Sequence, residues 1–433
     1  MALPVDEAHS EREPEPEKNF WQRLRAVGPG LITGAADDDP SGISTYSVAG
    51  ASTGLSMLWL ALVTTPMMAV VQGMCARIGM VTGMGLGASM RKMMPLWISY
   101  AIAIAVVVAN TFNIGADFAG MSDAAHLVFK LPQIVLVLLF GALLLVLMLF
   151  SSYRQMVNII KVLTLSLFAY VVTAFIVHPN WGEVLRNLVI PHIRFQKSWL
   201  TTAMGVLGTT ITPYLFFWQA SLMVEQEKDE GNIKLADRRG ASREEIKEAH
   251  FDVNAGMILS NAVMFFIIVT TALTLNAHHL TNVATAQQAA LALEPLAGKF
   301  ASVLFMLGMV GTGLLAIPSL AGSSAYVVSD VFAFRGATGL NVQANKAPRF
   351  YAVVGLGILL GVAMTLFHVD AIKTLYYSAV LNGLVAVPIV FILIRIANNA
   401  DIMGEWVNSL AANLWAWLCF ALMGAVAISI FVF

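Results

Sequence analysis

Residues 28–54 read GPGLITGAADDDPSGISTYSVAGASTG. The stretch is as long as a membrane span, yet Asp37, Asp38 and Asp39 stand near its middle, followed at once by Pro40 and Gly42. A carboxylate at the centre of an isolated spanning helix costs about 2.5–3.5 kcal/mol. Pro40 removes a backbone donor and clashes with the turn before it, and Gly42 loosens the chain further. Interrupted backbone at membrane depth survives only where it is buried in protein or lines a watery cavity. The stretch is therefore expected to be a discontinuous helix built around a cation site.

Composition supports a membrane setting. Of 433 residues, 58% are hydrophobic and 12% charged, and the mean hydropathy is +0.75. A soluble chain would carry about 25% charged residues, so a polytopic all-α membrane protein is expected. The net charge of −1 gives no sign of a nucleic-acid partner. Residues 1–27 are acidic and polar, lack the basic-then-apolar order of a signal peptide, and read as a disordered cytoplasmic tail. Cys75 and Cys419 lie in separate apolar spans, so neither a disulfide framework nor a thiolate metal site follows from them.

Apolar segments of about 20 residues mark spans. Eleven are expected, near 28–53, 56–76, 95–119, 132–150, 155–177, 200–223, 255–275, 300–328, 350–367, 374–394 and 408–432. With the N-terminus inside, the cytoplasmic side collects most of the basic residues, among them Arg77, Arg91, Lys92, Arg154, Arg238, Arg239, Arg349 and Arg395. The outer side keeps Lys130, Arg186, Arg194, Lys197, Lys299 and Lys373. That asymmetry gives the inner (cell) membrane orientation. The longest polar stretch, 225–252, reads as a solvated cytoplasmic connector, with a helix opened by Ser242 and a capping box completed by Glu245.

Span six, GVLGTTITPYLFFWQAS, is also broken near its centre, at Pro213, with Thr209, Thr210 and Thr212 just before it. Two interrupted segments at matching places in two halves point to an inverted-repeat transporter. The repeats are expected at 28–178 and 200–395, with 408–432 appended.

Asp39 is the leading candidate cation ligand, because no Lys or Arg stands at the middle of any span to pair with it. Asp37 and Asp38 cannot both join it at one ion and are expected to line an entry vestibule. Thr209 and Thr212 are three apart and would share a helical face; their hydroxyls either coordinate the ion or bond back to their own helix. Span three carries Asn110, Asn113 and Asp117 on one face, which either lines an aqueous path or glues helices together. Asn382 in span ten is a lesser candidate. Pro318 in span eight suggests close packing and a kink.

At these residues the chain resembles the Nramp (natural resistance-associated macrophage protein) family of divalent metal transporters. The likeness runs from Gly28-Pro29-Gly30 through Asp39-Pro40 to Ala49-Gly50-Ala51, then to Gly205, Leu207, Gly208 and Pro213. Asp252 and Asn254 before span seven and Gly313-Leu314-Leu315-Ala316 in span eight extend it. It implies the 5+5 inverted-repeat, LeuT-like fold plus one extra helix. The departures bear on function. The family's Asp-Pro-Gly-Asn reads Asp39-Pro40-Ser41-Gly42 here, so Gly42 replaces an amide ligand. Its Met-Pro-His reads Thr212-Pro213-Tyr214, which removes a thioether and the histidine associated with proton movement. The acidic pair of its proton path corresponds to Asn110 and Asn113.

Loss of sulfur and gain of hydroxyls favour hard cations such as Mg2+ and Mn2+. A wider site suits Mg2+, which sheds its waters reluctantly. The chain thus resembles the Nramp-related magnesium transporter branch, and the expected activity is uncoupled import of Mg2+ and Mn2+ as substrate, with no resident cofactor. One alternative is a proton-coupled Mn2+/Fe2+ symporter, with Asp37, Asp38 or Asp117 replacing the relay. A more remote one is a Na+-coupled importer of an organic solute. An intramembrane aspartyl protease needs two separated acids on facing helices, and the sequence places only Asp39 and its neighbours centrally.

Overall fold

In the computed structural model, residues 28–150, 165–367 and 370–432 are described. The acidic segment 1–27, and with it residues 155–164 of the fifth expected span, fall outside that set. Every regular element among the described residues is helical.

The first span is two helices. α1 (Pro29–Asp37) ends where Asp38 leaves helical geometry, and Asp39 is extended (φ −75°, ψ 171°) as the N-cap of α2 (Pro40–Thr53). Pro40 occupies the first helical position, where the missing N–H is harmless and its fixed φ favours the helix. α3 (Trp59–Thr82), the short α4 (Leu86–Met93), the long α5 (Leu96–Phe129) and α6 (Gln133–Phe150) follow. α7 (Phe168–Ile176) is the described part of the fifth span, and α8 (Trp181–Val189) connects the halves.

The sixth span repeats the break. α9 (Lys197–Thr210) stops at Ile211, Thr212 is extended (φ −97°, ψ 136°), and α10 (Pro213–Asp229) begins with proline at its first position. Asp39-Pro40 and Thr212-Pro213 are thus equivalent N-cap–proline pairs, one in each half. α11 (Arg243–Thr274), α12 (Ala301–Val331), α13 (Pro348–Thr365), α14 (Ala371–Ala397) and α15 (Leu410–Val432) complete the bundle. Among the described residues nine segments are long and apolar enough to cross a membrane. Each half of the first span is too short to count alone, and the fifth span is only partly described.

One boundary differs from expectation. The capping box at Ser242 and Glu245 is present, but the helix it opens does not belong to a separate connector. It runs on without interruption to Thr274, because nothing between the polar REEIKEAH and the apolar MILSNAVMFF breaks a helix. The non-helical link between α10 and α11 is therefore residues 230–242. Pro318 sits inside α12, which continues through it.

The interrupted spans lie at the centre. α1 packs against α10, α11 and α12, while α2 packs against α5, α9, α11 and α14. These approaches need small residues. A Cβ on Gly34 would strike the backbone of Gly256, and one on Gly208 would strike the Ala379 carbonyl and the Gly383 amide. The periphery is lipid-like: α6 exposes Leu138, Leu139 and Leu143, and α15 exposes Leu410, Leu414 and Ile428.

Gly208→Ala should overpack the α9–α14 contact, at a cost of about 1–3 kcal/mol. A lower melting temperature in detergent is the expected result, and an unchanged one would show that the two helices separate freely.

Candidate metal site

The break in the first span is held by one carboxylate. Asp39 Oδ1 accepts the Gly42 amide at 2.6 Å and the Ser41 hydroxyl at 2.7 Å, and Oδ2 accepts Asn113 Nδ2 at 2.8 Å from α5. An anion at a helix N-terminus satisfies an orphan amide and meets the positive end of the helix dipole. Ser41 Oγ lies 3.3 Å from Thr209 Oγ1, which brings the sixth span to the same point. Asp39, Ser41, Gly42, Thr209 and Asn113 thus form one connected, buried group.

The threonines separate cleanly. Thr210 bonds back to the Val206 carbonyl at 2.7 Å and meets Tyr46 Oη at 3.0 Å. Thr209 instead faces Ser41, and the Thr212 hydroxyl has no partner although its residue is the N-cap of α10. The shared-face argument for Thr209 and Thr212 does not hold, since α9 ends between them: Thr209 meets Ser41 from the last turn of α9, and Thr212 lies past the break at the start of α10. A Cβ on Gly42 would lie 3.3 Å from Thr209 Oγ1 and 3.4 Å from Asp39 Oδ1. A larger residue at position 42 would therefore project between those two groups.

The other candidates distribute around this centre. Tyr214 donates to the Ala36 carbonyl of α1 at 2.6 Å, and its own carbonyl accepts Ser323 Oγ at 2.8 Å from α12. Asp37 and Asp38 turn away from Asp39 toward α11, where Ser260 bonds Asp37 Oδ2 and approaches Asp38 Oδ1 at 3.3 Å. Asn110 glues α5 to α12 through the Leu320 carbonyl at 3.2 Å and Ser324 at 3.0 Å. Asn382 is buried with neither amide atom bonded. Asp117 is buried beside Asp39, on a facing helix. It is the separated acid that the sequence left out when proteolysis was set aside.

No basic side chain enters the electrostatic surroundings of Asp37, Asp38, Asp39 or Asp117 among the described residues. The Asp39 carboxylate stands at the break with the last-turn carbonyls of α1 and α9, which have no successor amides within their helices, the Ala36 carbonyl being taken by Tyr214. The centre is a cluster of oxygen donors, a chemistry that suits a hard cation. Ser260 and Asp252 were not singled out from the sequence as contacts of α1. Asp252 accepts the Gly30 amide at 2.5 Å and the Leu31 amide at 3.4 Å, capping α1 from another helix. The only signal for Ser260 was a hydroxyl inside the apolar run MILSNAVMFF.

This arrangement has known counterparts. Residues 30–432 match the family model described as natural resistance-associated macrophage protein-like, Nramp. The chain belongs to the Nramp family. It is 25% identical over 419 residues to the divalent metal cation transporter MntH of Latilactobacillus sakei, covering 92% of this chain and 87% of that protein. It is 27% identical over 395 residues to MntH of Erwinia tasmaniensis, covering 89% of each. The crystal structure of the Eremococcus coleocola manganese transporter, in complex with an aromatic bis-isothiourea compound, superposes with a TM-score of 0.74. It is 18% identical and covers 99% of this chain and 90% of that one. Mhp1, a nucleobase-cation-symport-1 family transporter, shares the fold at a TM-score of 0.54 with 15% identity, covering 94% and 93%. For this Nramp chain, family membership rather than a count of acids argues against proteolysis.

Tyr214→Phe should leave the Ala36 carbonyl without its donor and cost about 1–3 kcal/mol. Thermal unfolding of the purified variant checks this; an unchanged midpoint would mean that water takes over the carbonyl.

Proposed function

We propose that this Nramp chain is a multi-pass transporter, not an enzyme, that imports divalent cations, Mg2+ and Mn2+ before Fe2+, without coupled protons. The observation that carries the reading is the donor set at the break: Asp39, Ser41 and Thr209 in direct contact, with the Thr212 hydroxyl free. These are oxygens only, and hard oxygen sites select Mg2+ and Mn2+ over softer metals. Asp39 is the anionic ligand, Thr209 and Thr212 are neutral ligands, direct or through water, and Gly42 leaves room for a hydrated ion. Pro40 and Pro213 keep the two breaks open. Asp37, Asp38, Ser41, Tyr214, Asn110, Asn113, Asp117 and Asn382 line the path by which the ion arrives and leaves.

The N-terminus is placed in the cytoplasm, which puts α1 on the cytoplasmic side of the break and α2 on the outer side. A divalent ion crossing 100 mV inward gains about 4.6 kcal/mol, so coupling to protons is not required energetically. The side chains aligned with the family's proton path are amides here, and one of them, Asn110, is committed to structural bonds with α12. The relatives named as divalent metal cation transporters support the substrate class.

Uptake into proteoliposomes carrying an internal pH dye tests the reading. Mn2+ and Mg2+ should enter without acidification, and Asp39→Asn should abolish entry while the protein still folds. Mn2+-driven acidification would favour the proton-coupled symporter, and full uptake by the variant would remove Asp39 from the site.

Thr212→Met should raise Cd2+ affinity by about one order of magnitude, since a thioether is a softer ligand than a hydroxyl. Unchanged Cd2+ binding by calorimetry would place Thr212 out of reach of the ion.

A further inference from the structure

Asp117 stands one helical turn beyond Asn113 on α5, and its side chain is 0% exposed. Neither carboxylate oxygen closes a hydrogen bond of good geometry among the described residues. The group nevertheless lies at the break, close enough to interact with Asp39 and with the backbone N–H of Ser41. Ser41 is the second residue of α2, so carboxylates from two different helices, Asp39 and Asp117, bracket one helix N-terminus.

The surroundings supply a second sign. Asn113, also 0% exposed, spends its Nδ2 on Asp39 and leaves Oδ1 without a donor. The Thr212 hydroxyl is likewise unbonded and buried. Unpaired buried polar atoms in a native protein call for an explanation. Packing alone gives none for Asp117, because an apolar side chain of similar size would occupy the same place without an unpaired acid. A cation resolves it: it satisfies both carboxylates and the amide oxygen at once.

We infer that Asp117 is the second carboxylate ligand of the divalent cation held by Asp39, with Asn113 Oδ1 as a neutral ligand beside it. This rests on the proposed cation site and changes its charge balance. One carboxylate leaves a divalent ion with an uncompensated positive charge inside the membrane, whereas two neutralise it. A neutral ion–carboxylate cluster sits at the low-dielectric centre without a residual charge to stabilise. The inference also assigns the acid a role in binding rather than in lining a vestibule or relaying protons.

Calorimetric titration of Mn2+ into wild type, Asp39→Asn, Asp117→Asn and Asp117→Glu tests this, with thermal unfolding of each metal-free protein alongside. Asp117→Asn keeps the shape and an acceptor oxygen for the Ser41 amide. It should weaken Mn2+ binding by about 10- to 100-fold or more, with the metal-free melting temperature preserved. Asp117→Glu, which restores the charge, should bind more tightly than Asp117→Asn. Wild-type affinity in Asp117→Asn, with binding lost in Asp39→Asn, would overturn the role of Asp117 and leave the Asp39 site standing. Absence of Mn2+ binding to the wild type would instead overturn the site on which both depend.

Discussion

The structure depends on the Asp39 carboxylate at the start of α2. A broken helix in a membrane leaves amides and carbonyls that no solvent can satisfy. Asp39 takes the Gly42 amide and the Ser41 hydroxyl on one oxygen and the Asn113 amide on the other. One side chain thereby starts a helix, ties it to α5 and places a carboxyl group between the two half-helices. The oxygens that hold the break and the acid offered to a cation belong to one side chain. Fold and proposed function rest on the same group.

The second break shows what the first would be without an acid. Thr212 holds the place equivalent to Asp39, with the same extended backbone and the same following proline, yet its hydroxyl caps nothing. α10 therefore begins with its first amides less well satisfied than those of α2. The asymmetry is chemically informative. An inverted repeat supplies two equivalent N-caps, and this chain uses one as a carboxyl helix cap while leaving the other as an unbonded neutral oxygen. Under the proposed function, the first would hold a cation by charge and the second by adaptable, water-tolerant contacts.

Much of this was legible in the sequence because the relevant signals are local and costly. Aspartate and proline inside an apolar run admit few structures, and a matching proline in span six fixes the repeat. The capping box at Ser242 and Glu245 was legible for the same reason. What stayed hidden was direction. α1 ends at Asp37 and Asp38 is no longer helical, and no sequence window shows which neighbour this pair meets; they turn to Ser260 on α11. Helical spacing failed for Thr209 and Thr212, which are separated by a chain break in the helix. Asp117 lay on a recognised polar face, but its meeting with Asp39 depends on how α5 crosses α2, and no sequence window contains that crossing.

The ties around α1 bear on how such a site could open. Asp252 holds the Gly30 and Leu31 amides, Tyr214 holds the Ala36 carbonyl, and Ser260 holds Asp37. All of these bonds join α1 to α10 or α11, and none belongs to the group that joins α2 to α5 and α9. The polar ties of the two half-helices thus run to different partners, although both half-helices pack on α11, with Asp38 and Asp39 as the joint. A typical hydrogen bond contributes about 1 kcal/mol net, so these ties are one part of what holds α1; its close backbone approach to α11 at Gly34 and Gly256 is another. Asp37 and Asp38 lie on the α1 side of the joint and Asp39 on the α2 side. A ligand shifts a conformational equilibrium only by its differential affinity for the two states, and three consecutive carboxyl groups that straddle the joint are where a cation would meet both half-helices at once.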